Sequence, residues 1–151
     1  MALSWSEIHE LEVREDYPPA IDALEERLRA DPDDREAVVR LGFNLWIATT
    51  EAMRMQKSLP TELYAARFVE LFRQYRSRLE TNADFCWAFG LGISLDWFDF
   101  PGTDQALGNA LMERARELDP FWRRIYQADG QAELAERFRG RGIFASYYGV
   151  A

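Results

Sequence analysis

Apolar residues recur every three to four positions over most of this chain, a spacing that predicts amphipathic helices. The clearest helix is predicted at 62–80, where one face is apolar and the opposite face carries alternating charges typical of a solvent-exposed surface. Its apolar face consists of Phe68, Leu71, Phe72, Tyr75 and Leu79. No segment alternates apolar and polar residues for long enough to predict a sheet, so we expect an all-α protein.

Residues 16–46 predict two helices joined by a tight turn. The first helix, 19–30, has its apolar positions on one face. An Asp-Pro-Asp-Asp turn at 31–34 ends it, because proline disfavours the helical conformation in the residue before it, and one of the last two aspartates can cap the next helix. The pattern of the second helix continues toward Lys57. Two amphipathic helices joined by so short a turn lie antiparallel and need further helices to cover their apolar faces.

Further helices are predicted on both sides of this pair. Ser4 and Glu7 form a capping-box pattern at the start of a first helix. The segment 85–97 is dense in aromatic residues, and its two glycines favour the close approach of a neighbouring helix. A helix at 105–118 follows, with a cap from Thr103 or Asp104.

The loop between these two helices, residues 96–104, contains aromatic residues that either close the core or face a partner. They are Trp97, Phe98 and Phe100. A last helix at 132–139 precedes an apolar tail, which we expect to dock on the body because a free apolar tail promotes aggregation. We therefore expect a single helical domain at 1–139 with a docked tail at 140–151.

Small, apolar and turn residues follow a spaced pattern through residues 16–46. The pattern consists of Asp16-Tyr17, Ala20-Ile21, Leu24, Asp31-Pro32, Ala37 and Leu41-Gly42. It resembles the tetratricopeptide repeat, and it joins the second helix of one repeat to the first helix of the next. Weaker echoes lie at 82–90 and 115–120, and the distance from Gly42 to Gly90 exceeds the family's period of about 34 residues. The resemblance implies antiparallel helix-turn-helix hairpins stacked as a short right-handed superhelix or a compact bundle.

The resemblance also implies a concave groove lined by the first helix of each repeat. Transferred to this chain, the groove residues are Val39, Phe43, Trp46, Trp87 and Leu91. Such an apolar and aromatic groove would bind an apolar segment of a protein partner. The same residues could instead be buried by neighbouring helices.

The charge of the chain is concentrated near its start. Residues 1–36 contain twelve acidic residues and four arginines, a net charge of −8 that equals the value for the whole chain. The acidic patch predicted from this segment contains Glu7, Glu10, Glu12, Glu15, Asp16, Asp22, Glu25 and Glu36. Its field would attract a basic protein and repel nucleic acid. The alternative is a solvated surface that keeps the protein soluble.

No set of residues in the sequence predicts catalysis, a cofactor or a metal. His9 and Cys86 are the single histidine and cysteine, which excludes a zinc set. Asp96, Asp99 and Asp104 lack the alternating ligand spacing of a calcium loop. No apolar run has the length of a membrane span, and the lone cysteine is consistent with a cytoplasmic location.

The small size of the chain, the acidic residues concentrated near its start and the absence of a catalytic residue set favour a non-catalytic protein-binding domain. The specific hypothesis is a bacterial immunity protein or antitoxin that binds a basic toxin, such as a nuclease, and covers its active-site cleft. The alternative is a scaffold or co-chaperone, similar to tetratricopeptide proteins, that binds an apolar peptide in its groove. Both hypotheses expect a protein partner, without direct contact to nucleic acid or membrane, and the sequence specifies no oligomeric state.

Overall fold

The computed structural model describes residues 2–51 and 58–151, and over these ranges the chain forms nine α-helices and no strand. The helices are α1 Trp5–Val13, α2 Tyr17–Ala30, α3 Arg35–Glu51, α4 Thr61–Tyr75, α5 Ala83–Asp96, α6 Gln105–Leu118, α7 Phe121–Arg124, α8 Gln131–Phe138 and α9 Gly142–Tyr147. Short 3-10 turns lie at Trp97–Asp99 and Ala128–Gly130. The predicted all-α class is confirmed. The predicted continuation of α3 toward Lys57 lies outside the described residues.

Helix α3 is the centre of the fold, since it packs against α2, α4, α5 and α9. Every residue from Ala37 to Ala48 is buried, including the polar Arg40 and Asn44. Contacts on several sides explain why the sequence of this helix has more than one apolar stripe. Helices α2 and α3, and likewise α5 and α6, form antiparallel hairpins across short connections.

The hairpin of α5 and α6 depends on small residues at its closest approach. A Cβ atom added to Gly108 of α6 would lie 2.3 Å from the backbone nitrogen of Ser94 and 2.9 Å from the carbonyl oxygen of Gly90. Because these neighbours are backbone atoms of α5, they cannot rotate away. The expectation that glycine in α5 allows a neighbouring helix to approach is confirmed at Gly90, where an added Cβ would lie 2.9 Å from the backbone nitrogen of Met112.

The C-terminal segment folds back as α9 onto α1 and α3. Ile143 and Phe144 are buried, and the Phe144 ring lies 4.9 Å from the ring of Phe43 on α3. Just beyond α9, the Tyr148 hydroxyl accepts a hydrogen bond of 2.7 Å from the indole N–H of Trp87 on α5. The last residues of the chain therefore cover the faces of three helices.

A buried ion pair connects α1, α3 and α9. Glu12 of α1 is 0% exposed, and Arg40 of α3 is 2% exposed. The Glu12 carboxylate accepts from the Arg40 Nε–H at 3.0 Å, from the Asn44 amide at 2.8 Å and from the Ile143 backbone N–H at 3.2 Å. These donors satisfy a buried charge that would otherwise be strongly destabilising.

Tyr147 and Tyr148, at the end of α9, should make the stability of the fold fall at alkaline pH. Desolvation, followed by the neighbouring Tyr126, Asp96 and Glu51, raises the pKa of Tyr147 from its ordinary value of 10.0 to about 12. Burial also raises the pKa of Tyr148 well above that ordinary value. A raised folded-state pKa means that the neutral phenols stabilise the fold fully below a pH of about 10. This contribution is lost as the pH rises through about 12.

We expect Tyr147→Phe to remove the component of the phenolate absorbance that titrates near pH 12. The measurement is an ultraviolet titration of the folded chain. In denaturant, all six tyrosines should titrate together near a pH of about 10. A folded-state titration that is the same in the variant and the original chain would contradict the assignment.

Candidate functional site

The five residues assigned to a groove by the repeat resemblance lie in the core. Their exposed fractions are 2% for Val39, 0% for Phe43, 2% for Trp46, 0% for Trp87 and 4% for Leu91. The Tyr147 ring of α9 lies 5.2 Å from the ring of Phe43 and 5.4 Å from that of Trp46. Of the two alternatives for these positions, an open groove and burial by neighbouring helices, the structure shows burial, because α9 and neighbouring helices cover them.

Three members of the predicted acidic patch are engaged within the protein. Glu12 is buried in its ion pair with Arg40, so its assignment to a surface patch is wrong. Glu25 pairs with Arg67 of α4 at 2.8 Å, and Glu36 pairs with Arg141 at 2.7 Å. These carboxylates hold helices together, which reduces the charge that they present to a partner.

The other members of the patch lie at the surface of α1, α2 and the turn between them. Glu7 is exposed, and hydrogen bonds from the backbone and side chain of Ser4 lower its pKa. Glu15 is half-buried in the turn, with a left-handed φ of 58°. Three members are exposed and make no ion pair within the described residues: Glu10, Asp16 and Asp22. They are the carboxylates of the predicted patch that are best placed to contact a partner.

Exposed aromatic and apolar residues gather where α5 and α9 end, and we call this surface the aromatic end. Its members are Leu95, Trp97, Phe98, Tyr126 and Tyr147, with exposed fractions of 53%, 42%, 67%, 70% and 40%. Of the three loop aromatics whose role the sequence left open, Phe100 is buried and stacks on Phe68 at 4.1 Å. The other two face outward.

Contacts of Trp46 and Asp96 connect two parts of the aromatic end: the residues at the end of α5, and Tyr147 at the end of α9. The Trp46 indole N–H donates to Asp96 Oδ2 at 2.7 Å, and the Trp46 ring contacts Tyr147. Asp96 is also among the charges that raise the pKa of Tyr147. Because Asp96 stands between Leu95 and Trp97 in the chain, these contacts connect Tyr147 of α9 to the end of α5.

The end of α5 and the turn that follows it carry two carboxylates, Asp96 and Asp99. Desolvation, and then repulsion from Asp96, raises the pKa of Asp99. Neither aspartate makes an ion pair within the part of the chain that the structure describes. Helix α5 has no basic residue in its last turn, so its C-terminal dipole adds partial negative charge. The sequence signal for the part of this surface at 95–99 is the absence of lysine and arginine between Arg78 and Arg114.

The two side chains best suited to catalysis, the single histidine and the single cysteine, are hydrogen-bonded or buried. The His9 Nδ1 atom accepts a hydrogen bond of 2.8 Å from the Gly142 backbone N–H. Cys86 is buried, and burial raises the pKa of its thiol, which disfavours the reactive thiolate.

Across residues 2–51 and 58–151, no group of three or more histidine, cysteine or acidic residues could hold a metal ion. No helix in these ranges is long and apolar enough to cross a membrane.

Comparisons with known proteins identify no relative of this chain. A scan against protein-family models matches no family. Searches of curated proteins and of solved structures return no significant match.

Proposed function

We propose that this chain is a non-catalytic domain that binds a basic protein partner. The specific proposal is an acidic immunity protein or antitoxin of the bacterial type, which neutralises a toxin such as a nuclease by covering its active-site cleft. The net charge of −8 supports this proposal, since an acidic surface complements the cationic cleft that holds a nucleic-acid substrate.

The observation that carries the proposal is the position of the acidic residues relative to the apolar ones. Phe43 and Trp46, which would anchor a peptide in a groove, are buried under α9. Glu10, Asp16 and Asp22 are exposed on the outside of the same fold. The carboxylates on the outer surface of α1 and α2 are therefore accessible to a partner, whereas Phe43 and Trp46 are not.

The alternative, a scaffold or co-chaperone that binds an apolar peptide, has less support. Such a peptide would have to displace α9, which is held by the hydrogen bond of Ile143 to Glu12 and by the packing of Phe144 against Phe43. Losing these contacts would offset much of the affinity that the peptide gains.

We expect the double charge reversal Glu10→Lys and Asp22→Lys to weaken binding of a basic partner by roughly tenfold or more at low salt. The loss follows from two missing attractions and two new repulsions, and it should shrink at high salt because exposed charges are screened. The measurement is calorimetric titration with the purified protein encoded by the neighbouring gene, after its recovery in a pull-down from the native host.

The matched control reverses Glu80 and Asp129, two exposed acids outside α1 and α2, and changes the net charge by the same amount. This control should lose much less affinity than the first variant. Equal losses in both variants would show attraction by overall charge, without an interface on α1 and α2. A neighbouring protein that fails to bind the original chain at any salt concentration would overturn the specific proposal.

A further inference from the structure

We propose that the aromatic end is a docking surface for a cationic segment of the protein partner, one that presents arginine beside an apolar residue. This inference rests on the proposed function, in which the partner is basic. Arginine would lie against the rings of Trp97 and Phe98 while its guanidinium contacts Asp96 and Asp99. The apolar neighbour of the arginine would cover the exposed part of Leu95.

The exposed rings are held in a defined arrangement, which favours binding. Trp97 and Phe98 lie edge to face, with ring centroids 5.8 Å apart, in a 3-10 turn. The Thr103 hydroxyl has one proton to share between the Phe100 carbonyl oxygen at 2.8 Å and the Trp97 carbonyl oxygen at 3.1 Å. The Phe100 ring anchors the turn in the core against Phe68. A surface that is already ordered loses little conformational entropy when a partner binds.

The charges of the aromatic end select a cation. The hydrogen bond from Trp46 orients the Asp96 carboxylate, and Asp99 adds a second carboxylate close enough for the two to repel each other. An arginine between them would relieve this repulsion. Its guanidinium could also stack on an aromatic face, an interaction that already occurs elsewhere in this fold, where Arg27 lies 3.9 Å from the centroid of the Trp5 ring.

The same charges disfavour a second copy of the chain as the occupant. In a twofold dimer through this surface, Asp96 and Asp99 of one copy would face the same residues of the other. Both copies would also carry a net charge of −8. Like charges placed opposite each other suppress such an association.

The aromatic end and the acidic residues of α1 and α2 would contribute differently to one complex. Exposed carboxylates such as Glu10 and Asp22 attract the partner over a distance, so their loss slows association and depends on salt. Aromatic anchors dominate the lifetime of a complex, so the loss of Trp97 and Phe98 should speed dissociation with little salt dependence.

The test uses the full chain and a synthetic peptide of alternating arginine and leucine as the probe, with binding measured by calorimetry. We expect the double variant Trp97→Ala and Phe98→Ala to weaken peptide binding by about tenfold or more. The variant Asp99→Asn should weaken binding to a smaller extent. Leu63→Ala is the matched control, because Leu63 is 71% exposed but lies on α4. Circular dichroism checks that each variant is folded.

Three results would refute this docking surface. A peptide in which glutamate replaces arginine should not bind, and equal binding of both peptides would refute the selection of a cation. Equal affinity of the original chain and the Trp97→Ala and Phe98→Ala variant for the arginine peptide would refute the site. A dimer that only this variant loses in sedimentation would also refute it, in favour of self-association.

The purified neighbouring protein separates this inference from the proposed function. If that protein binds the original chain and the Trp97→Ala and Phe98→Ala variant with equal affinity and lifetime, the docking surface is refuted while the proposed function stands. If that protein does not bind the original chain at all, the specific proposed function fails.

Discussion

Replacing Glu12 by alanine is expected to lower the free energy of unfolding by about 3–5 kcal/mol, because the buried Arg40 guanidinium loses its buried partner and keeps only the more distant Glu36, 3.8 Å away. The variant also removes the acceptor for the Asn44 amide and the Ile143 backbone N–H. Since Ile143 belongs to α9, the damage extends to the contact of the C-terminal helix with α1. Urea-induced unfolding, followed by circular dichroism, measures the change.

Two further variants show whether the effect belongs to the buried charge. Glu10→Ala lies on the same helix at an exposed position, so we expect a change within about 0.5 kcal/mol. The double variant Glu12→Leu and Arg40→Met replaces the pair by apolar side chains and should recover much of the lost stability. A Glu12→Ala variant as stable as Glu10→Ala would refute the buried ion pair.

The helices were predictable because their signals are local. The bounds of α6 follow from an aspartate that caps its start and an Asp-Pro step after its end, and Asp104 does accept from the Leu107 N–H at 2.8 Å. Helix α4 shows the limit of this reasoning, since apolar spacing predicted 62–80 but the helix ends at Tyr75. Leu79 is buried from a turn instead.

The acidic patch shows why net charge does not locate a surface. Glu12 follows Ile8 by four residues, which places both on the same face of α1. The apolar stripe therefore contained a carboxylate, a pattern that calls for a buried partner. That partner, Arg40, lies 28 residues further along the chain, and only the packing of both α1 and α3 against α2 and α9 brings it close.

The sequence did not decide between an open groove and a buried one, because the cover of these residues comes from the far end of the chain. An apolar tail indicates docking, but its composition does not say where it docks. The contact of Phe144 with Phe43 depends on the packing of α9 against α3, which is set by tertiary structure and not by local sequence. Conversely, of the three aromatic residues in this loop only Phe100 is buried, because it stacks on Phe68, and Trp97 and Phe98 remain exposed. The position of Phe68 relative to the loop is a tertiary feature that the loop sequence does not contain.

Replacing Phe144 by alanine is expected to destabilise the protein by about 3–5 kcal/mol, the usual cost of removing a buried phenylalanine ring. The ring is 0% exposed, lies 4.9 Å from Phe43 and stacks at 5.0 Å on Phe138 of α8. Its loss leaves a cavity where α3, α8 and α9 meet. Urea-induced unfolding gives the change in free energy, and hydrogen exchange at the amides of α9 shows whether this helix opens first.

Phe98→Ala is the matched control, since it removes the same ring from a position that is 67% exposed, and its effect on stability should stay within about 0.5 kcal/mol. Equal effects of the two variants would contradict the docking of α9.

The pattern of hydrogen exchange in Phe144→Ala also tests whether the groove can open in the folded protein. If Phe144→Ala speeds exchange across the whole chain, α9 is a cooperative part of the core and the groove stays closed in the folded protein. If exchange accelerates only in α9 while α3 remains protected, the groove residues Phe43 and Trp46 become accessible in a folded state. An apolar peptide should then bind the variant more tightly than the original chain, and the scaffold hypothesis would regain its site.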